Sequence, residues 1–343
     1  MTGQPRVAIV ILNYNTCHLL EKYLPSVLNT SYKNKEVWVV DNASIDDSVS
    51  FLEEQYADQV QLLVSPKNLG YAGGYNWALK QIEASYYVLI NSDVRVTENW
   101  LIPLIELANE NPNIGAIQPK ILDDKQASHF EYAGACGGYL DRFGYPFCRG
   151  RIFESLEKDK GQYNTSIPVF WATGACLFLR AEAFHQVDGF DSDFFAHMEE
   201  IDLCWRLQHQ NFKVYVQPKS EVYHLGGGTL AEGSAFKYFL NFRNNLIMLT
   251  KNTSSSGWVL YLIGRMLLDG ISGLKFLLNG KPQLVWSILK AHADFWSTLT
   301  STLKKRAHVQ STSLHIPSIY PKSIVWAYFL RGKKTFIDLK DVE

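Results

Sequence analysis

Residues 7–15 of the chain, VAIVILNYN, decide the fold. Six consecutive apolar residues, most of them β-branched, run into a polar turn. Such a run is typical of a strand buried on both faces, as the strands of parallel sheets are. Strand patterns follow at residues 36–40, 60–64 and 86–90, and helical patterns fill the intervals, as at residues 19–28. This alternation predicts an α/β fold with a mostly parallel, twisted sheet and helices on both faces.

The strands of this predicted sheet end in polar residues. Asn13 and Asn15 follow the first strand, Asp41 ends the second, and Asn91 and Asp93 follow the fourth. Ligands of such sheets bind beyond the carboxyl ends of the strands, so these side chains are expected to share one crevice. Asn and Asp are also common in ordinary turns, but three polar ends on one sheet favour a binding site.

A glycine-rich segment, residues 68–74 (NLGYAGG), follows the third strand. Its glycines predict a close approach of the backbone to a ligand at the start of a helix. The helical pattern itself is clearest over residues 75–82. The spacing is not that of the dinucleotide-binding fingerprint, and a simple glycine-rich turn is the alternative interpretation.

Three carboxylates crowd into residues 194–206, FFAHMEEIDLCWR: Glu199, Glu200 and Asp202. Like charges this close repel, and apolar neighbours raise the free energy of ionising them. A solvated helix face could hold such a cluster, but aromatic residues flank it on both sides. The cluster therefore predicts a catalytic base at the wall of a cleft.

The distribution of charge divides the chain into a body and a tail. Residues 1–250 hold 20 basic and 29 acidic side chains, whereas residues 251–343 hold 13 basic and 5 acidic ones. The net charge of −1 argues against a nucleic-acid partner. Within the body, residues 120–165 are rich in glycine and predict loops.

Residues 258–278 of the tail are an apolar stretch of 21 residues, which is long enough to cross a bilayer. The stretch contains Arg265, Asp269 and Lys275, and each charge at a helix centre costs about 2.5–3.5 kcal/mol to insert. The pattern therefore predicts an amphipathic helix that lies on a membrane surface or packs on the body, and the tryptophans and basic residues of the tail favour the membrane interface. A soluble helical subdomain with an aromatic core is the alternative.

The five cysteines are spread along the chain without a CxxC spacing, so neither a zinc ribbon nor a disulfide framework is predicted. Reduced, mostly buried thiols in the cytosol are expected. The first six residues lead directly into the first strand and lack the apolar region of a signal peptide. These features predict a cytoplasmic protein.

Eight segments match a family pattern in order, namely residues 10–15, 39–44, 68–74, 89–93, 174–176, 189–191 and 199–206, and His224. The set resembles the inverting, nucleotide-sugar-dependent glycosyltransferases of family 2, which have the Rossmann-like GT-A fold, and is most similar to rhamnosyltransferase-like bacterial members. The resemblance implies a nucleotide-binding half, about residues 1–120, and an acceptor half, about residues 121–250. The helical tail, residues 251–343, carries little of it.

The resemblance implies that the strand ends bind a sugar nucleotide. The implied contacts are Asn13, Asn15, Asp41, Asn68, Gly70, Gly73, Asn91 and Asp93. Asp41 is expected to accept a hydrogen bond from the nucleotide base. Asn91 and Asp93 occupy the place of the family's DxD motif, which holds Mg²⁺ or Mn²⁺ against the diphosphate.

The first Asp of that motif is Asn91 here, so the direct metal contact is expected at Asp93, with Asn91 near the ribose or the outer shell of the metal. His224 is the second metal ligand that the resemblance implies. Imidazole suits Mn²⁺ better than Mg²⁺.

The resemblance also implies the catalytic base. The family motif is Glu-Asp, and Glu199-Glu200 stands in its place, so Glu200 is expected to take the proton of the acceptor hydroxyl while Glu199 binds the acceptor or orients the base. Asp202 precedes Arg206 by four residues, the spacing of a helical ion pair, and is expected to be structural. The implied sugar and acceptor contacts are Trp171, Gly174 and Asp191, the last with turn capping as the alternative.

These expectations describe an enzyme that moves a sugar from a nucleoside-diphosphate sugar, with dTDP-rhamnose or a UDP-sugar favoured, to a glycan or polyprenyl-linked glycan hydroxyl. The basic tail predicts a peripheral protein on the cytoplasmic face of the inner membrane. A non-catalytic sugar-nucleotide or glycan-binding protein is one alternative, because Asn91 and Glu200 depart from the family motifs. A nucleotide-sugar pyrophosphorylase is another, but it needs a glycine-rich, basic loop after the first strand, and residues 13–16 are neither.

Overall fold

The computed structural model describes residues 4–226, 234–253, 257–309 and 319–339. Its strands are β1 (Val7–Asn13), β2 (Lys35–Asp41), β3 (Gln61–Val64), β4 (Tyr86–Asn91), β5 (Val94–Val96), β6 (Ile114–Asp123), β7 (Gly138–Asp141), β8 (Pro146–Cys148), β9 (Arg151–Ile152), β10 (Ser155–Leu156), β11 (Ile167–Pro168), β12 (Cys176–Arg180), β13 (Lys213–His224) and β14 (Ile319–Tyr320). Its helices are α1 (Cys17–Leu28), α2 (Ser48–Gln55), α3 (Gly70–Leu79), α4 (Ile102–Glu110), α5 (Ala181–Gln186), α6 (Glu199–His209), α7 (Ala235–Asn252), α8 (Trp258–Leu278), α9 (Pro282–His308) and α10 (Ile324–Phe329), with 3₁₀ turns at Ser192–Phe194 and Phe336–Asp338.

The central sheet has the strand order β11-β13-β6-β12-β4-β1-β2-β3, and β5 pairs with β13. β1 is parallel to β2 and β4, and β2 is parallel to β3, as the sequence predicts. β12 runs antiparallel between β4 and β6, so the sheet as a whole is mixed. No crossover helix joins β6 to β12. The chain between them forms a second sheet instead, which lets β12 enter from the opposite direction.

Two local predictions were wrong. Residues 120–165 contain strands where loops were expected, and β7 to β10 form a second sheet with β14 in the order β10-β9-β8-β7-β14. These four strands have two to four residues each, too few to show an alternating pattern. Helix α3 begins at Gly70 rather than near Tyr75, because glycines in its first turns hide the helical pattern.

The first strand shows why the sheet forms. Val7, Ile9 and Ile11 pack into the apolar core on one face of the sheet, and Ala8 and Val10 pack into the core on the other face. A strand between two helical layers is apolar on both faces, and every residue of β1 except the half-buried Leu12 is buried. Helices therefore cover both faces, and the ligand-binding edge is left at the strand ends.

The described part of the tail packs on the body. Leu262, Phe295 and Ile324 belong to the same buried cluster as residues of the central sheet. Helix α8 has the predicted length, and its ion pair with α9 joins Asp269 Oδ2 to His292 Nε2 at 3.2 Å. Within the described ranges, no helix has both the length and the apolar character needed to cross a membrane. The division of the chain at residue 250 stays a prediction.

Candidate active site

The ends of three neighbouring strands meet in one polar network. Asn13 lies opposite Asp41 in the β1–β2 register, and its Nδ2 donates to Asp41 Oδ2 at 3.0 Å. Thr16 Oγ1 donates to Asn13 Oδ1 at 2.6 Å and lies 3.0 Å from Ser92 Oγ, between Asn91 and Asp93. The prediction that these strand ends come together is confirmed. Sequence reasoning missed Thr16 and Ser92, which join them.

The two loops beside this network hold each other. Asn15 has a φ of 53°, and its backbone N–H donates to Ser44 Oγ at 2.9 Å. Its side-chain oxygen accepts from the Ile45 N–H at 2.7 Å. Asp41 is fully buried and also accepts from the Ser44 N–H at 2.8 Å. Its carboxylate therefore fixes the loop after β2 before any ligand binds.

The backbone N–H groups that begin α3 all have protein acceptors. Asn42 Oδ1 accepts from Leu69 N at 3.0 Å, and Asn68 Oδ1 accepts from Gly70 N at 2.8 Å. The carbonyl oxygen of Phe195 accepts from the next two N–H groups, at 2.7 and 3.2 Å. A helix start whose donors are used in this way offers few of them to a ligand.

Glycine is required in this segment for contact with Phe195. Gly70 has a φ of 70°, and a Cβ atom there would lie 2.6 Å from the Phe195 carbonyl oxygen. A Cβ on Gly73 would lie 3.1 Å from Leu69 Cβ, which is tight but within the helix. The close approach at Gly70 is thus made to the loop that carries the acidic residues, and a nucleotide contact for Gly70 or Gly73 stays a prediction. The glycine segment joins the strand ends to that loop.

The loop before α6 has an unusual backbone. Phe195, His197 and Met198 have φ values of 61°, 68° and 72°, a region that non-glycine residues rarely occupy. The buried Asn244 of α7 holds this loop with its side-chain amide, whose Nδ2 lies 2.9, 2.9 and 2.7 Å from the carbonyl oxygens of Phe194, Ala196 and His197. Strained backbone persists only where its surroundings impose it, and Asn244 supplies that constraint.

Glu199 and Glu200, called the acidic pair below, begin α6 at the end of this loop. Burial raises the pKa of Glu199 well above its usual range, and Glu200 and then Asp202 raise it further. Burial likewise raises the pKa of Glu200, against the lowering effect of nearby backbone N–H groups, to about 7. One oxygen of each carboxyl, Oε2, is buried without a hydrogen-bond partner. No cation in the described residues pairs with either group.

A second carboxylate group, called the ion-paired cluster below, behaves in the opposite way. Asp202 accepts from Arg206 at 2.8 Å, as its spacing predicts, and lies 2.8 Å from Lys251. Asp191 contacts Lys251 at 2.7 Å and also pairs with Lys305. Burial alone would raise the pKa of both carboxyls, but the neighbouring cations hold both pKa values below the usual range.

Asp191 also accepts from the Asp193 N–H at the start of the 3₁₀ turn, at 3.2 Å. The capping role that was the alternative for Asp191 is therefore observed. Trp171 is buried and donates from Nε1 to the Tyr139 carbonyl at 2.9 Å. The Gly174 carbonyl accepts from Tyr71 Oη at 2.8 Å. Each of these residues thus has a structural contact, and an acceptor contact for any of them stays a prediction.

His224 lies between two carboxylates. Its Nε2 is 3.1 Å from Asp93 Oδ1, and its Nδ1 is 3.0 Å from Glu131 Oε2. Burial would lower the pKa of His224, but the hydrogen bonds to Asp93 and Glu131 raise it to about 10. Sequence reasoning missed Glu131, because a lone glutamate in a glycine-rich segment carries no signal of its own.

This arrangement fits a divalent metal bound at Asp93 and His224. A carboxylate on Nδ1 is the usual partner of a metal-ligating histidine, because it fixes the tautomer that presents Nε2 to the metal. Glu131 occupies that place. In the described residues no group of three or more His, Cys, Asp or Glu side chains is arranged to hold a metal. Two protein ligands require the substrate and water to complete the shell, as at many Mg²⁺ and Mn²⁺ sites.

Comparisons with known proteins identify the family of the chain. The model of glycosyl transferase family 2 matches residues 8–187, more than half of the chain. An N-acetylglucosaminyl-diphospho-decaprenol L-rhamnosyltransferase of Mycobacterium tuberculosis is 25% identical over 264 residues, 73% of this chain and 85% of that protein. The O-antigen biosynthesis protein RfbC of Myxococcus xanthus is 29% identical over 230 residues, 65% of this chain and 17% of that protein.

Solved structures show the same fold. The crystal structure of GalNAc-T7 with UDP, GalNAc and Mn²⁺ matches with a TM-score of 0.57 at 13% identity, over 73% of this chain and 48% of that chain. The mannosyltransferase PcManGT from Pyrobaculum calidifontis, in complex with GDP-Man and Mn²⁺, matches with 0.52 at 15% identity, over 91% of this chain and 78% of that chain. The chain is a glycosyltransferase with the GT-A fold, and it belongs to glycosyl transferase family 2.

Proposed function

We propose that the protein transfers a sugar, with inversion, from a nucleoside-diphosphate sugar to a hydroxyl group of a glycan or lipid-linked glycan. The observation that carries this proposal is the acidic pair, two carboxyls without cations at the start of α6, each with a buried Oε2 that has no hydrogen-bond partner. They are linked to the strand ends by contacts between Phe195 and the glycine segment. Buried carboxyls without partners are costly to a fold, and a catalytic role accounts for them.

Glu200 is the proposed base. A base works best when its pKa lies near the working pH, because it is then both deprotonated and strong enough to accept a proton. The pKa of Glu200, about 7, meets that condition. Glu199 has the more strongly raised pKa, is the more deeply buried, and is proposed to stay protonated beside it. A protonated Glu199 avoids a second charge in the pair and can donate a hydrogen bond to the acceptor.

The strand ends are the proposed donor site. The nucleotide base is proposed to lie against Asp41 and Asn13, with Asn15, Asn68 and the glycines Gly70 and Gly73 along the nucleotide and Asn91 near the ribose. Asp93 and His224 are the residues that would hold Mn²⁺ or Mg²⁺. Such a metal, when bound, neutralises charge on the departing nucleoside diphosphate. The favoured donors are dTDP-rhamnose, by analogy with the rhamnosyltransferase relative, and UDP-sugars.

The acceptor is proposed to be a polyprenyl-linked glycan at the inner face of the cytoplasmic membrane. The relative from Mycobacterium tuberculosis is named for a decaprenol-linked substrate. The outward face of α8 supports a membrane partner, because seven of its apolar side chains are at least half exposed: Leu260, Ile263, Leu267, Ile271, Leu274, Leu277 and Leu278. Its inward face instead carries the buried Arg265–Asp269 ion pair, 2.7 Å long.

A helix on the surface of a soluble protein turns its apolar face inward and its charged face outward, and α8 has the opposite arrangement. The basic residues of the tail would also attract anionic lipids. Sedimentation with vesicles of phosphatidylglycerol and phosphatidylethanolamine tests the proposal. The protein should sediment with the vesicles, and the double change Leu267→Glu and Ile271→Glu should abolish this. Val64→Glu, a matched change at an exposed residue of β3, should have no effect. Equal sedimentation of all three proteins would rule out the α8 face.

Donor turnover tests the enzymatic proposal directly. The purified protein is incubated with Mn²⁺ and, in turn, dTDP-, UDP- and GDP-sugars, with membrane lipid extract as the source of acceptor, while nucleoside diphosphate release is followed. Release with one class of donor is expected, and metal chelation should stop it. Binding of a donor without release under any of these conditions would favour a non-catalytic sugar-nucleotide-binding protein instead.

A further inference from the structure

Arg149 and Arg151 lie near the candidate active site, and only Arg149 has backbone acceptors for its guanidinium. Arg149 is buried, and its guanidinium donates to the carbonyl oxygens of Cys136, Tyr163 and Thr165 at 3.1–3.2 Å. Arg151 is equally buried, 6% exposed, but its only hydrogen bond to a described residue is a 3.6 Å contact from Nη2 to Cys148 Sγ. Its Nε is buried without a partner.

Arg151 has no carboxylate partner among the residues that the structure describes. The other deeply buried arginine that lacks backbone acceptors, Arg265, pairs with Asp269 at 2.7 Å. A buried guanidinium without an anion is unfavourable, because desolvation of the charge is not offset. Among the described residues, the guanidinium of Arg151 contacts a thiol and an aromatic ring but no anion within ion-pair distance.

The surroundings of Arg151 leave its donors open in one direction. The Tyr132 ring lies over the guanidinium, 4.3 Å from its carbon to the ring centroid. A ring stacked on the face leaves the N–H groups at the edge of the guanidinium available for bonds in its plane. That edge geometry matches two oxygens of a phosphate group.

Arg151 also lies beside the reaction site. Tyr132 follows Glu131, the residue that holds His224. Cys148, the contact of Arg151, lies within electrostatic reach of both Glu131 and Glu200. Glu131 is itself engaged by His224 and by the Ala133 N–H at 2.6 Å, and its charge acts on Arg151 without a direct contact.

We propose that Arg151 binds a phosphate group of a substrate diphosphate, in a subsite between Glu131 and the acidic pair. The diphosphate belongs either to the sugar nucleotide or to a polyprenyl-linked acceptor, which share this chemistry. The inference rests on the proposed function for the identity of the substrate. The bound phosphate would supply the negative charge that pairs with the Arg151 guanidinium.

The test compares thermal unfolding of the wild type, Arg151→Met and Arg142→Met, the last a matched change at an exposed arginine. The probes are UDP with Mn²⁺ for the donor diphosphate and geranyl diphosphate for the acceptor diphosphate. Arg151→Met should unfold at the same temperature as the wild type or higher without ligand, because an unpaired charge is removed. The stabilisation by one of the two probes should be lost, and this probe identifies the source of the phosphate.

Arg151→Lys should restore part of the ligand-induced shift, because it keeps the charge but not the fork of donors. In turnover assays, Arg151→Met should raise the KM of the matching substrate by about tenfold or more, since charge-assisted hydrogen bonds are lost. Unchanged stabilisation of Arg151→Met by both probes would overturn the subsite. Absence of turnover in the wild type would instead count against the proposed function, since the binding test does not depend on turnover.

Discussion

Glu199 of the acidic pair and Asp202 of the ion-paired cluster lie three residues apart on α6 and have opposite properties. Asp202 has Arg206 and Lys251 within 2.8 Å and a lowered pKa. Glu199 and Glu200 have no cation and raised pKa values. Both groups are shielded from water, so the difference comes from the partners that the fold provides. Charges that serve the fold are paired, whereas those without partners are available to a substrate.

The largest effect should come from removing the proposed base. Glu200→Gln should lower the turnover rate about a thousandfold, within the range of lost general-base catalysis, while Glu106→Gln on the exposed face of α4 should leave it unchanged. Nucleoside diphosphate release measures the rate. Glu200→Asp, the residue type of the family motif, should retain measurable activity. Turnover of Glu200→Gln at the wild-type rate would remove Glu200 from the mechanism.

Glu200→Gln should not destabilise the protein, in contrast to a change at the ion-paired Asp202. The folded-state pKa of Glu200, about 7, lies above its ordinary value of 4.5. The folded protein therefore binds more protons than the unfolded chain between these values, so the contribution of Glu200 to stability falls as pH rises through that window. Urea unfolding at pH 8 should show Glu200→Gln at least as stable as the wild type, and a marked loss would contradict an unpaired carboxyl.

Asp202→Asn should do the reverse. The change leaves Lys251 and Arg206 buried without their shared anion, which should cost about 3 kcal/mol of unfolding free energy. Asp294→Asn is the control, because Asp294 pairs with Arg243 across 3.5 Å and is 41% exposed. A surface pair of this kind is worth about 1 kcal/mol or less. Equal losses in the two variants would show that Asp202 is not held by a buried ion pair.

The smallest of the expected losses should come from the loop before α6, which leads into the acidic pair. Asn244→Ala removes the amide that holds three carbonyl oxygens before α6. We expect a loss of about 2 kcal/mol from the unpaired carbonyls and about tenfold lower turnover from the displaced acidic pair. Asn241→Ala, on the same helix, removes only a bond to the helix's own Lys237 carbonyl and should change neither. Wild-type turnover in Asn244→Ala would show that the loop keeps its conformation without the Asn244 amide.

Much of the fold followed from the sequence, because strands buried on both faces leave an unbroken apolar signal. The bounds of β1, β2 and β4 and the length of α8 were predicted within a residue or two. The second sheet was not, since its strands are too short to show a period and are held by partners distant in the chain. β14 of the tail, for example, pairs with β7.

The site was predictable only in part, because some of its contacts also join residues that are distant in the chain. Residues at the ends of long strands, such as Asn13 and Asp41, are placed by the strands themselves. Glu131 and Asn244 act through residues about 50 to 90 positions away along the chain, His224 and the 194–197 loop. No local pattern marks such a residue. Arg151 is recognised only because it has no carboxylate partner among the described residues, which a sequence cannot show.

The pH dependence of kcat/KM for the wild type is the most direct test of Glu200 as the catalytic base, because it reports the ionisation of the free enzyme's essential base. With saturating Mn²⁺ and a donor identified by turnover, kcat/KM should fall as pH drops through about 7, following one ionisation, as the pKa of Glu200 requires. The residual activity of Glu200→Gln should lack this ionisation. A wild-type rate that is constant between about pH 5.5 and 8, or the same ionisation in Glu200→Gln, would contradict a buried, unpaired Glu200 as the base.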